Sequence, residues 1–392
     1  MPQPRLLEFF YFDAGGGHRS AALALKEVLA DRYPHWQITL VNLQEILQPI
    51  DPVHRLTDIY HVQDFYNGLL KRGWTYGWDA MLRILHEGIK LSARPIERLL
   101  QEHWKNSQPD LVVSLIPHFN RPMFRTLRRV HPGVPYVTIM TDIADCPPHF
   151  WQEKQGQFLI CGSDFAEKQA LRAGYTPDRL FTASGMVLKP QFYGLPELTP
   201  TARRAARQAL GLDPDLPTAL IMFGGYGART ARVILDRLRR AKLPMQSIVL
   251  CGHNEKLRQA LANKPLCHAV GFTNDVPGYM RLADFFIGKP GPASVSEALH
   301  MGLPVILERN AGTMPQEYYT TVWVEEQDLG LIVSSFGRIA KAVRALLDDD
   351  RLMRLRRNAG QLDNRAVFEI PDMLEEIMET AEASQPMQQR RA

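Results

Sequence analysis

The sequence predicts an α/β protein built from two doubly wound domains. Three observations carry this reading. Short apolar runs alternate with helical periodicity along most of the chain, the pattern of parallel strands joined by crossover helices. That pattern restarts near residue 218, where a second apolar run leads into a second glycine turn. Between the halves, in residues 188–217, Pro190, Pro196, Pro200, Pro214 and Pro217 sit around one basic helical stretch, Thr201 to Leu210, as expected of an interdomain connection. A chain of 392 residues is also too long for one ordinary core and suits two.

In the first half, Leu6 to Asp13 (LLEFFYFD) reads as a strand, the glycines after it as a turn, and Arg19 to Arg32 as a helix. Gln37 to Leu43 reads as the next strand. Residues 54–105 hold no strong strand and read as helical, with many aromatics. Asp110 to Leu115, Tyr136 to Thr141 and Phe158 to Gly162 are buried-type strands, and a helix spans Asp164 to Ala173. Leu180 to Met186 closes the half. In the second half, strands are expected at Thr218 to Phe223, Ser247 to Cys251, His268 to Val270, Phe285 to Ile287 and Pro304 to Leu307, alternating with helices. The expected boundaries are 1–187 for an N-terminal domain, 188–217 for the connection and 218–366 for a C-terminal domain. A helix over 367–383 is expected to pack back on the N-terminal domain, and 384–392 to be a disordered polar tail.

Composition narrows the function classes. Hydrophobic residues make up 45% of the chain, enough for large cores and too much for global disorder. The cysteines Cys146, Cys161, Cys251 and Cys267 form no CxxC pair, so neither a zinc site nor a disulfide framework is expected. Met1 to Leu7 is too short for a signal peptide, and no window approaches 18 uninterrupted apolar residues. A formal net charge of +4 permits weak attraction to anionic lipid or phosphate but does not indicate a nucleic-acid partner.

Three glycine-containing turns carry the chemistry. The first is Gly15-Gly16-Gly17-His18. Its glycines let backbone approach a ligand, and the helix that follows aims free N–H groups and a positive dipole end at whatever binds. It matches neither a dinucleotide fingerprint, since the third position would be Ser20, nor a P-loop, since no GK[ST] follows. The plainer alternative is a tight strand–helix turn. At a helix N-terminus an imidazolium is disfavoured, so His18 should be neutral and able to accept a proton, as a general base for an alcohol must. The competing reading is a histidine that merely caps the helix. The second turn, Gly224-Gly225-Tyr226-Gly227, has the same phosphate-cradling physics, with Tyr226 a bulky choice that either lines a site or packs on the surface. The third, from Lys289 through Gly291, Pro292 and Ser294 to Glu297, follows a strand and opens a helix. Ser294 and Glu297 have capping-box spacing. The functional alternative is a Glu297 carboxylate accepting two hydrogen bonds from the cis-diol of a ribose, with Lys289 beside a diphosphate.

These residues carry a resemblance. FDAGGGHRSAALAL resembles the opening of monogalactosyldiacylglycerol synthases and their processive bacterial glucosyltransferase relatives. VTIMTDIADCPPHFW and EKQALRAGYTPDRLFTASG resemble the rest of their N-terminal domain. GFTNDVPGYMRLADFFIGKPGPASVSEALHMGLPVIL resembles their donor-domain signature, which is also seen in the lipid II GlcNAc transferase. The resemblance implies a GT-B fold, with two Rossmann-like domains facing across a cleft, and an inverting transfer from a UDP-hexose to a membrane lipid, most simply diacylglycerol. It implies no essential metal or other cofactor. His18 then matches the base; Gly16, Gly17, Asp142 and Asp145 fall on the acceptor side. Gly224, Gly225 and Gly227 match the diphosphate loop, with Tyr226 inside it. Phe272 and Thr273 match the segment that meets uracil, and Glu297 matches the ribose ligand. Gln316 and Glu317 fall where relatives read sugar hydroxyls.

Some residues depart from the pattern. His253 stands where the diacylglycerol enzymes usually show arginine, Tyr226 is unexpected in its loop, and the stretch around Gln316 matches loosely. These bear on sugar identity, galactose or glucose, more than on reaction class. A different lipid or soluble acceptor, a UDP-sugar epimerase and a non-catalytic sensor are the rival readings. The segment Ile59 to Leu100 interleaves Tyr60, Phe65, Tyr66, Trp74, Tyr76 and Trp78 with Lys71, Arg72, Arg83, Lys90 and Arg94, while Leu82, Leu85, Ile89 and Ile96 recur at near-helical spacing. Such a segment suits an anionic membrane surface. The alternative is packing against the N-terminal sheet. The expected location is cytoplasmic, peripheral on the inner face of the plasma membrane.

Overall fold

The computed structural model describes residues 4–13, 16–51, 78–147, 149, 151–224 and 229–383. They form two compact units that divide between Pro190 and Gln191 and again between Asp363 and Asn364. Tyr60, Phe65, Tyr66, Lys71, Arg72, Trp74 and Tyr76, together with the tail 384–392, lie outside the described residues.

The first unit holds β1 (Arg5–Tyr11), β2 (Trp36–Asn42), β3 (Leu111–Ser114), β4 (Tyr136–Ile139), β5 (Phe158–Cys161) and β6 (Leu180–Thr182). They form a six-stranded sheet in the order β2-β1-β3-β4-β5-β6, parallel throughout. Every residue of β3, β4 and β5 is buried, because helices cover both faces. The helix Ala93–Lys105 is tied to this sheet through Glu8, buried on β1. Its carboxylate accepts hydrogen bonds from Trp104 Nε1 at 2.9 Å, His103 Nε2 at 3.2 Å and the Ser107 hydroxyl.

The chain returns to this unit at its end. The helix Ala366–Ala383 packs on the helix Gly17–Arg32. Tyr33 Oη donates to Glu375 Oε2 at 2.8 Å and Arg32 Nη1 to the Phe368 carbonyl at 3.2 Å. Ahead of the helix, Asn364 Nδ2 donates to the Met186 carbonyl at 2.9 Å.

The second unit holds β7 (Thr218–Met222), β8 (Gln246–Leu250), β9 (Cys267–Val270), β10 (Phe285–Gly288), β11 (Val305–Glu308) and β12 (Gly330–Val333). Their order is β12-β11-β10-β7-β8-β9, again six strands and parallel throughout. Phe285 and Ile287 of β10 enter one core layer, with Ile221 and Val249, while Phe286 enters the other with Leu220, Ile248 and Leu307. Burying each such side chain contributes about 1.5–3 kcal/mol. The edge strand β12 is an addition to the sequence reading. Gly330 stands opposite Val305 there, and a Cβ would collide with the Val305 carbonyl.

Residues 191–217 are not a bare connection. The helix Pro200–Ala209 belongs to the second unit. Arg207, 4% exposed, donates to the Leu282 carbonyl at 2.8 Å and to Asp284 Oδ2 at 2.7 Å. Asp284 also accepts from Arg203 at 2.8 Å, Arg356 at 3.3 Å and the Thr218 amide at 2.8 Å. One largely buried carboxylate thus joins the helix to the starts of β7 and β10. Burial works against its charge, but Arg203 and Arg207 outweigh that and hold its pKa below the usual carboxylate range. Burial also draws Arg207 downward, yet an arginine begins so high that it keeps its charge.

Among the described residues, no helix is long and apolar enough to cross a membrane.

Candidate functional site

Each sheet has one place where strand order reverses, and ligands of open α/β sheets bind beyond the carboxyl ends of the strands there. In the first unit the reversal lies between β1 and β3. After β1, Gly16 has φ 82° and caps the helix Gly17–Arg32 with no side-chain hydrogen bond. A Cβ at Gly16 would meet nothing within 4 Å, so the left-handed backbone, not space, calls for glycine. Gly17 and His18 lie in the first turn; Gly15 is outside the described residues.

The Thr141 hydroxyl, just past β4, stands 3.0 Å from His18 Nδ1, and the Leu115 backbone, just past β3, lies close enough to the same ring to favour its protonation slightly. The Trp151 ring centroid is 6.0 Å away. His18 keeps some accessible surface, but protein crowds its ring, and that burial draws its pKa down to about 4. The imidazole is therefore neutral at physiological pH, the state a general base needs.

The two acidic residues nearby differ. Asp142 Oδ2 accepts from Trp151 Nε1 at 2.8 Å, which fixes the indole beside His18. Asp145 is fully buried and accepts the amides of Cys146 at 2.9 Å, Trp151 at 3.2 Å and Gln152 at 3.1 Å. Its carboxylate shapes the turn that carries Trp151.

In the second unit the reversal lies between β7 and β10. Gly224, after β7, has φ 76°. Gly225, Tyr226 and Gly227 lie outside the described residues. After β10 come Lys289 and Gly291, and the helix Pro292–His300 starts with Gly291 as its cap. The capping-box spacing of Ser294 and Glu297 is not used as such. Ser294 sits inside the first turn and donates back to the Gly291 carbonyl at 3.2 Å, so this helix has no side-chain cap. Glu297 falls one turn further in and is half-buried. The N-terminus of this helix, Lys289 and the left-handed Gly224 thus lie at adjacent strand ends, with the Glu297 carboxylate one turn into the helix.

The other candidate residues lie on further elements of the same unit. Lys289 Nζ pairs with Glu317 Oε1 at 2.8 Å, and the Glu317 side chain is buried. Gln316 Oε1 is buried with no hydrogen-bond partner among the described residues. Glu317 and Gln316 enter from the first turn of the helix Pro315–Glu326. Phe272, past β9, is 58% exposed and stacks on His253, with centroids 4.2 Å apart and planes 15° apart. The Thr273 hydroxyl accepts from the Asp275 amide at 3.0 Å. Among the described residues, no group of three or more His, Cys, Asp or Glu is arranged to hold a metal.

Two units with these sheets define the GT-B fold, and solved structures bear it out. Phytolacca americana UGT2, complexed with UDP-2-fluoro-glucose and pterostilbene, superposes with a TM-score of 0.61 at 12% identity, covering 97% of this chain and 100% of that one. Residues 218–325 match the glycosyltransferase family 28 C-terminal domain. The chain is also similar, along most of its length, to a plant synthase and a bacterial glucosyltransferase. It is 29% identical over 358 residues to the chloroplastic monogalactosyldiacylglycerol synthase of Spinacia oleracea, covering 87% of this chain and 66% of that protein. It is 26% identical over 378 residues to the processive diacylglycerol beta-glucosyltransferase of Bacillus subtilis, covering 94% and 93%. The chain thus spans just under two thirds of the length of the plant relative and nearly all of the bacterial one.

Proposed function

We propose that the protein is an inverting glycosyltransferase that moves a hexose from a UDP-sugar to a lipid hydroxyl, most simply that of diacylglycerol, to give a β-glycosyl lipid. The observation that carries the reading is the pairing of two kinds of site. The second unit ends its central strands in a helix N-terminus, Lys289 and the left-handed Gly224, with Glu297 one turn into that helix, and the first ends its own in a neutral His18. The relatives' names supply the acceptor class, and the complex of the plant protein of like fold supplies the donor class.

In this reading the diphosphate meets Lys289 and the amides at the start of the helix Pro292–His300, and the Glu297 carboxylate accepts the ribose hydroxyls. His18 takes the proton of the acceptor hydroxyl as its oxygen bonds to the anomeric carbon. The bond from that carbon to the diphosphate oxygen breaks, and UDP leaves with the electron pair. Backbone N–H groups and the Lys289 cation answer the developing charge, so the reading requires no metal or other cofactor. Glu297→Ala should weaken UDP binding by about 1–3 kcal/mol, through loss of two hydrogen bonds to a charged acceptor. Calorimetry on the folded variant checks this; unchanged affinity would remove Glu297 from the donor site.

The acceptor reading adds a membrane surface. On the helix Trp78–Leu91, Ile84 is 72% exposed and Leu91 87% exposed. They are seven residues apart and share a helix face. Ile89 and Ile96, in contrast, turn inward to the core that contains Phe10 and Val112. The exposed apolar face, not the whole periodic set, therefore supports peripheral contact with anionic lipid on the inner face of the plasma membrane. Ile84→Ser with Leu91→Ser should reduce flotation with vesicles containing anionic lipid and spare UDP binding. Equal flotation of variant and parent would place membrane contact elsewhere.

A further inference from the structure

The loop after β3 brings a second histidine to the His18 site. His118 has φ 72°, in the left-handed region that a non-glycine residue seldom occupies. Such backbone persists only where its surroundings enforce it, and it concentrates at ligand-binding positions. Three observations place His118 within the acceptor side. It follows the strand adjacent to β1 at the point where strand order reverses. The same short loop supplies Leu115, whose backbone lies close to the His18 ring. His18 also lies near enough for its charge to make a proton on His118 harder to add. On its other side stands His86, buried on the helix Trp78–Leu91, with ring centroids 5.9 Å apart.

Burial, with His86 and His18 nearby, draws His118 down to about 3, and burial lowers His86 as well. A neutral imidazole offers one donor and one acceptor. That suits a hydroxyl or an ester carbonyl. It suits a phosphate poorly, because an anion gains most from a cation or several N–H donors.

We propose that His118 is a second acceptor-binding residue, which hydrogen-bonds an uncharged oxygen of the lipid head next to the nucleophilic hydroxyl and so holds that hydroxyl against His18. The proposal rests on the glycosyltransferase reading and deepens it: the acceptor head is an alcohol flanked by ester oxygens, not a phosphorylated lipid.

The test uses the full chain and 1,2-dioctanoylglycerol. Two variants separate binding from backbone strain. His118→Gly suits the left-handed backbone and removes the imidazole, while His118→Asn tolerates the same backbone and keeps a donor and an acceptor. The Gly variant should raise the acceptor KM at least tenfold with UDP affinity unchanged, and the Asn variant should recover part of the loss. The histidine ring signals of the parent, assigned by comparison with the Asn variant, should show His118 shifting on addition of the diacylglycerol, whether or not sugar is transferred. An acceptor KM within twofold of the parent in the folded Gly variant, or no shift of the His118 signals in a parent whose other signals respond, would overturn the proposal. A parent that transfers sugar only to a phosphorylated lipid would overturn the head-group assignment. Failure of the parent to transfer sugar to any acceptor, with His118 still shifting on diacylglycerol, would count against the transferase reading and leave the binding assignment standing.

Discussion

His18→Ala should lower kcat by about 10²–10⁴-fold, the usual contribution of a positioned general base. UDP affinity should stay nearly intact, since the donor residues belong to the other unit. The two readouts together distinguish loss of chemistry from loss of structure. The pH profile gives a further check. Burial holds His18 near pKa 4, so the acid limb of kcat/KM should lie near pH 4 instead of near the ordinary histidine value of 6.5. Near-normal turnover of a folded His18→Ala protein would take this residue out of the mechanism. Asp142 would then be the next residue to test, because Asp145 is committed to the amides of its own turn.

Asp284→Ala should be the most destabilising single change described here, by about 3–5 kcal/mol. Removing one member of a buried ion pair leaves the others uncompensated. Arg207 is the critical partner, being 4% exposed, whereas Arg356 can turn to solvent. The sign of the pH dependence follows from the lowered pKa of Asp284. The folded state holds the carboxylate ionised more firmly than the unfolded chain does. Its contribution is therefore present above the ordinary aspartate range and is lost as pH falls through the lower folded value. Urea unfolding of parent and variant at pH 7 and at pH 4 checks both statements. The difference between them should persist at pH 4 and shrink only below the ordinary aspartate value of 3.8, so a third pair of curves at about pH 3 carries the pH test. Equal stability at pH 7 would mean that the arginines find other partners.

The periodicity of the chain carried the fold because both sheets are parallel and buried on both faces. Strands such as Leu111–Ser114 and Phe285–Gly288 are uninterrupted apolar runs, and glycine turns mark where strands hand over to helices. β12 escaped because it is four residues long, lies at a sheet edge and is only half-buried along most of its length. The helical stretch Thr201 to Leu210 is legible in the sequence, but its flanking prolines resemble a linker, and the arginine that anchors it to the second unit meets a carboxylate more than 70 residues away.

The site shows the same division. His18 and Glu297 were legible from their places after glycine turns, although the cap at Gly291 shows that the Ser294–Glu297 spacing alone misreads the helix start. The Lys289–Glu317 pair was not legible as a pair, since 28 residues separate its members. His118 escaped altogether. It stands in no motif, and only its left-handed backbone and its place beyond β3 single it out. The exposed Ile84 and Leu91 were missed for a related reason: periodicity identifies an apolar helix face without saying which neighbour covers it.

The most direct test of the central claim is to incubate the protein with labelled UDP-galactose or UDP-glucose and diacylglycerol in vesicles, then extract the lipids. The account predicts label in the organic phase as a β-linked hexosyl lipid, with UDP released in equal amount and the transfer abolished by His18→Ala. Label that remains in the aqueous phase with both donors, as intact UDP-sugar, an epimer or free hexose, would contradict it.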